Sequence, residues 1–156
     1  MTDSPASNTH ATADGVADGT APRPAARYAI AIGRTLFGLL FLGVGLMGFI
    51  HPQQPPPDMA PKAKAFVDAL QQSGYMLPLI QGTQVLVGLL LVINRFVPLA
   101  LAIIAPFMVN SLAFHFCAEP MGRVPSLIIT AWLLALAWAY RGAYRPMLAM
   151  RARPGG

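Results

Sequence analysis

Charge is scarce in this chain. Lys, Arg, Asp and Glu make up 11% of its residues, where an ordinary soluble domain carries roughly 25%. Only Arg34 is charged within any of the four long apolar runs at residues 28–50, 76–93, 96–116 and 124–140. The runs also lack the polar outer face that a surface helix of a soluble domain needs. A soluble fold is thereby excluded. Cysteine is nearly absent: a lone Cys117 rules out a disulfide within the chain and any site built on a cysteine pair. There is no Walker loop, no Cys-x-x-Cys and no pair of mid-span histidines set to ligate a haem, and no Ser–His–Asp set can be placed. Nothing marks an enzyme that acts alone.

What the chain does have is apolar length. Each run is close to the ~20 residues that carry a helix across a hydrocarbon core of ~30 Å. The expected fold is all-α: an integral membrane four-helix bundle with a disordered N-terminal tail. The 156 residues leave room for one bundle, at residues 27–145, and two tails, at 1–26 and 146–156. Residues 1–26 hold one Val, one Met and no aromatic residue, too little to bury a core. The first run is too long for a secretory signal. It leads into His51-Pro52-Gln53 with no small-x-small cleavage pattern, so it is expected to stay as the first span.

The net charge of +5 does not point to nucleic acid, because the arginines cluster at the ends of the runs. Arg23, Arg27, Arg95, Arg141, Arg145, Arg151 and Arg153 fall on one side of a four-span chain, and Lys62, Lys64 and Arg123 on the other. That imbalance predicts a multi-pass protein of the inner (plasma) membrane with both termini in the cytoplasm. Its first partner is the lipid bilayer. Tyr28, Trp138, Tyr140 and Tyr144 suit the cytoplasmic interface. Asn94-Arg95 alone joins the second and third runs, which implies a tight antiparallel hairpin. The long loop opens with Pro52 and Pro55-Pro56-Pro57, which forbid helix. After Pro61, the residues Ala63, Phe66, Val67 and Leu70 recur at helical spacing, with Lys62, Lys64, Asp68 and Gln71 opposite. This predicts an amphipathic helix that lies on the outer membrane surface or caps the bundle, ended by Gly74.

Small residues let helices approach closely in lipid. Ala31, Gly38 and Gly45 form one stripe, while Gly33, Gly43 and Gly48 thin the first span further. Gln81, Gln84 and Gly88 share a face of the second span, and Pro106 is expected to kink the third and free the carbonyl near Ala102. Arg34 lies on the small-residue stripe, ~10 Å in from Arg27. It either snorkels back to the headgroups or stays buried as an anchor for an anionic ligand or a partner carbonyl. Gln81 and Gln84 can join helices or bind a carbonyl ligand, and Asn110 and Ser111 sit at similar depth. His51, His115 and Glu119 are expected to gather at the outer rim. They would serve a metal, a proton relay or a quinol oxygen, or stand there simply as interfacial residues. No metal site is assigned.

Four stretches carry a family resemblance. Arg34-Thr-Leu-Phe-Gly-Leu-Leu-Phe-Leu-Gly-Val-Gly-Leu resembles the first span of the DoxX family, and Gly82-Thr-Gln-Val-Leu-Val-Gly-Leu-Leu-Leu resembles its second. Phe107-Met-Val-Asn-Ser-Leu-Ala-Phe-His-Phe is similar to the third span, and Trp138-Ala-Tyr-Arg-Gly-Ala-Tyr-Arg-Pro-Met-Leu to the closing segment. The chain departs at Gln84, where many members carry an ionisable Glu. The resemblance implies a small four-span membrane protein, with some relatives linked to quinone-dependent oxidation, as in thiosulfate:quinone oxidoreductase. On that reading the chain is a membrane subunit or anchor in a quinone-linked redox system. Arg34, Gln81, Gln84, Asn110 and His115 would line a cavity for a quinone, His115 would pass its proton outward, and a redox partner protein would carry the electrons. Two other readings stay open: a small-solute or lipid-handling carrier, and a non-catalytic assembly protein. A four-span carrier would need a second copy, so homo-oligomerisation is also open. No repeat relates residues 28–93 to 96–140, which speaks against a carrier.

Overall fold

The computed structural model describes residues 24–51 and 55–144. Six α-helices and one 3-10 turn account for most of them: α1 (Pro24–Ile50), α2 (Pro61–Gln72), α3 (Met76–Val92), α4 (Val97–Cys117), the turn Pro120–Gly122, α5 (Arg123–Ala139) and α6 (Arg141–Tyr144). The helix α1 begins before the first apolar run. Pro24, Ala25 and Ala26 already lie in the helix. The expected N-terminal tail is corrected accordingly: residues 24–26 belong to the helix. The rest of that tail, and the C-terminal one, lie outside the described residues.

The four long helices alternate in direction. Gly38 of α1 faces Gly88, Leu91 and Val92 of α3, and Gly45 faces Gln81 and Val85, so α1 and α3 run antiparallel. Between α3 and α4 the chain reverses through Asn94 and Phe96, both left-handed at φ 58° and 50°. Phe96 therefore precedes α4 as an exposed residue and does not open the span. The helix α4 runs on through Pro106 and packs on both α3 and α5, and α5 closes the ring against α1.

Glycine sets the α1–α3 distance. A Cβ on Gly88 would lie 2.7 Å from the Gly38 carbonyl oxygen and 2.8 Å from the Leu42 Cα. Those are backbone atoms, which cannot swing aside. Beside this seam the core is apolar, with Phe37, Val87, Leu91, Leu101 and Ile104 essentially sealed. Phe37 meets Phe41 with tilted rings at 4.9 Å and Trp132 edge-on at 5.5 Å.

The outside is as apolar as the core. Ile32, Leu36, Leu39, Leu99, Val109, Ile128 and Leu134 are all exposed. Alone, α1, α4 and Pro120–Ala139 are long and apolar enough to cross a membrane. The 17 residues of α3 sit at the lower edge of the ~17–25 that can span. The chain is an all-helical bundle with the outward face of a membrane protein. Across the Ser73–Tyr75 break, α2 turns off α3 at 89°. Gly74 makes the turn at φ 73°, and the Ser73 hydroxyl both donates to the Leu70 carbonyl and accepts the Met76 N–H.

Candidate functional site

At the α2 end of the bundle, four helices line a half-open cavity of about 320 Å³. From α1 it takes Val44 and Gly48, and from α2 the residues Phe66, Val67, Leu70 and Gln71. From α3 come Leu77, Ile80, Gln81 and Gln84, and from α4 Phe107, Asn110, Ser111 and Phe114. The α3 and α4 sets each follow i, i+3, i+4, i+7, a single helix face. The cavity thus exists because two such faces meet, α1 is thinned at Gly48, and α2 folds across the opening.

Three of the five sequence-predicted residues meet here: Gln81, Gln84 and Asn110. Gln84 is the most enclosed, at 5% exposure. Among the described residues, none of these three side-chain amides makes a hydrogen bond. Gly48 leaves the space that the Gln81 side chain fills: a Cβ there would lie 2.9 Å from the Gln81 Cγ. The rest of the wall is largely apolar and aromatic, with Phe66 and Phe114 in ring contact at 5.4 Å.

Arg34 and His115 lie elsewhere. Along α1, Arg34 precedes Val44 by ten residues, which is ~15 Å of helix. His115 packs on the turn after α4, where its ring would collide with any Cβ on Gly122 and its Nδ1 lies 3.2 Å from the Glu119 carbonyl oxygen. The Glu119 carboxylate is already engaged. It accepts the Ala60 N–H at 3.1 Å and the Met121 N–H at 3.5 Å, tying the start of α2 to the α4–α5 connection. His51 is exposed. Among the described residues no three His, Cys, Asp or Glu side chains are placed to hold a metal. The expected gathering of His51, His115 and Glu119 reduces to one contact between His115 and a backbone oxygen.

Sequence reasoning missed Phe66, Phe107, Phe114 and Gln71. The Phe107–Phe114 face was readable from its spacing. Gln71 was not: it was expected on the polar side of α2, yet it lines the cavity, because α2 turns 89° off α3 and lies across the bundle end.

Arg34 is buried at 7% exposure. Its Nε is sealed without a partner, and its Nη2 makes one long bond of 3.4 Å to the Thr35 Oγ1. An unmet buried donor costs ~1–3 kcal/mol, more when charged. Outside the spans, the Tyr144 hydroxyl donates to the Pro98 carbonyl at 2.9 Å, and burial raises its pKa above 10.0.

No protein-family model, curated protein or solved structure matches this chain. The class therefore rests on the fold and the cavity: a helical membrane bundle with an amide-lined chamber beneath an amphipathic helix.

Proposed function

We propose that the cavity binds the head of an isoprenoid quinone, and that the chain is a DoxX-like membrane subunit or anchor in a quinone-linked redox system. The observation that carries this reading is the convergence of three unpaired amides, Gln81, Gln84 and Asn110, in an aromatic-walled chamber. Amides left unpaired in an apolar medium are costly, and a ligand with carbonyl acceptors would satisfy their N–H groups. Phe66, Phe107 and Phe114 offer flat surfaces to a ring. The volume of about 320 Å³ is at the low end of the ~300–1,000 Å³ of small-molecule sites. That suits a ring head whose tail lies outside, among the lipids.

When bound, a quinone supplies two-electron, two-proton redox chemistry. The chain's own residues bind and orient: the buried Gln84 amide donates from within, and the more exposed Gln81 and Asn110 donate nearer the opening. Gln84 cannot ionise, so it holds a proton in a hydrogen bond without delivering it. Arg34 and His115 fall outside this set. Electrons are exchanged with a partner protein, because this chain has neither the cysteines nor the histidine pair that hold a metal redox centre.

The test is quinone extraction from protein purified in mild detergent, with binding of a short-chain quinone analogue followed by tryptophan fluorescence. Wild type should retain and bind quinone. Gln84→Leu should weaken binding about tenfold, the worth of one buried hydrogen bond of ~1.4 kcal/mol. Wild-type protein that neither carries nor binds quinone would overturn the reading.

A further inference from the structure

We infer that Arg34 is the inner contact of a second binding site, one for a phosphate-bearing anion at the end of the bundle opposite the quinone cavity. This inference does not rest on the quinone reading.

Several independent observations lead there. First, Arg34 is 93% buried by its 7% exposure, so it is not snorkelling in water. Second, its hydrogen-bonding capacity is almost wholly unmet. A guanidinium carries five N–H donors, and here the only acceptor is the Thr35 hydroxyl oxygen at 3.4 Å. That hydroxyl in turn donates to the Ala31 carbonyl. Nε is sealed without a partner. Nη1 makes no bond either, yet it is not among the sealed atoms, so it keeps an opening to the surface.

Third, among the described residues no carboxylate is available to it. The four spans contain no Asp or Glu. Among the described residues, Asp58, Asp68 and Glu119 all belong to the α2 end. Asp68 pairs with Lys64, and Glu119 is held by two backbone N–H groups. At the Arg34 end the described charges are Arg27, Arg34, Arg95 and Arg141. A buried cation without a counter-charge is costly in lipid, and intramembrane ionisable groups serve function by default.

Fourth, there is a way in. Pro24, Arg27, Tyr28 and Ala31 line an open groove of about 470 Å³. Arg27, Ala31 and Arg34 follow i, i+4, i+7, so the groove ends at Ala31, one turn short of Arg34 on the same face of α1. Two arginines on one face of α1 match the charge of a phosphate group, whose oxygens accept guanidinium N–H groups. Such a group is offered by an anionic phospholipid headgroup or by free phosphate.

The test is native mass spectrometry of the full chain in a mild non-ionic detergent. It is titrated with dioleoylphosphatidylglycerol or dioleoylphosphatidylcholine, and inorganic phosphate is added as competitor. Wild type should hold phosphatidylglycerol about tenfold more tightly than phosphatidylcholine, a difference of ~1.4 kcal/mol. Arg34→Gln should abolish the preference, Arg34→Lys should keep a reduced one, and Gln84→Leu should leave it intact. Displacement by millimolar phosphate would identify the phosphate group itself as the ligand, whereas resistance would identify the lipid. Both outcomes support the site. Equal binding of the two lipids by wild type would overturn it, as would a full preference surviving in Arg34→Gln. If Arg34→Gln does not fold, wild-type thermal stability decides. Phosphatidylglycerol must raise the melting temperature above that in phosphatidylcholine, and no difference refutes the site.

Discussion

At the scale of single residues, the amides and the arginine were legible in the sequence as costly groups, but their grouping was not. Gln81, Gln84, Asn110, Arg34 and His115 could all be picked out by being polar within or at the end of apolar runs. Nothing in their spacing showed that the first three meet while Arg34 lies ~15 Å away along α1. The unpaired state of Gln84 leads to a prediction of opposite signs. Gln84→Leu replaces a buried amide that has no partner by an apolar side chain of similar size. It should leave stability within about 1 kcal/mol of wild type, or raise it, while quinone binding falls. Thermal unfolding in detergent, read beside quinone retention, checks the split; a variant that loses both together would make Gln84 structural. Tyr144 offers a pH test. Burial holds its hydroxyl protonated above the ordinary pKa of 10.0. The folded state therefore binds that proton more tightly than the unfolded state does. The stability that follows is fully present below pH ~10 and is lost as pH rises through the higher folded value. Tyr144→Phe should cost ~0.5–1.5 kcal/mol at neutral pH through the lost bond to the Pro98 carbonyl. It should also remove its share of the alkaline fall, as seen in melting curves of the two proteins from neutral to alkaline pH.

At the scale of elements, the spans were legible because a helix in lipid must be apolar for its full length. All four predicted runs match helices to within a few residues at their ends. The α1–α3 seam was legible in part. Gly38 and Gly45 do face α3, but Ala31 is exposed although it lies on the same stripe. The reason is the length of α3. It ends at Val92, which already lies opposite Gly38, so two turns further down no α3 residue remains to meet Ala31. A seven-residue repeat marks a face without marking where the partner stops. Two substitutions separate seam from surface. Gly88→Val would drive a side chain into the α1 backbone, and the helices would have to part; the expected loss is ~3 kcal/mol or more. Gly43 has nothing within 4 Å of a built Cβ, so Gly43→Ala should be neutral or stabilise by up to ~1 kcal/mol through helix propensity. Unfolding of the two variants in the same detergent tests the contrast, and equal behaviour would refute the seam. The lie of α2 was not legible. Its amphipathic pattern fits a helix resting on a membrane surface as well as one closing a chamber. The choice depends on the 89° bend at Ser73–Tyr75 and on the bond from the Ala60 N–H to Glu119, a contact 59 residues apart. Glu119→Ala should cost ~1–3 kcal/mol and speed hydrogen exchange across α2 more than across α3, and uniform exchange would show that Glu119 does not hold the helix.

At the scale of the whole molecule, the structure fixes relative directions, and the charges propose an absolute one. Alternation of α1, α3, α4 and α5 puts Cys117 at the α2 end and Arg27, Arg95 and Arg141 at the other. If the arginine-rich end is cytoplasmic, as the charge rule requires, the two proposed sites open toward different leaflets. The phosphate site would then meet the inner leaflet, where anionic lipid is drawn to basic residues, and the quinone chamber would lie in the outer half beneath α2. The lone, exposed Cys117 makes this testable without a foreign tag. In intact cells a membrane-impermeant maleimide should label wild type at Cys117. In a Cys117→Ser background, Ser7→Cys and Gly156→Cys should stay unlabelled until the cells are opened. The reverse pattern would invert the molecule and exchange the leaflets of the two sites. The pair of terminal probes also decides the status of α3, which has only 17 residues and, of the four long helices, is the one not long and apolar enough to cross a membrane alone. With four crossings the two termini share a side; with α3 not crossing, they part. A shared side would mean that the bilayer thins or the helix ends extend to accommodate α3. That would bring the floor of the amide-lined chamber, built on the first turns of this same helix, close to the outer membrane surface.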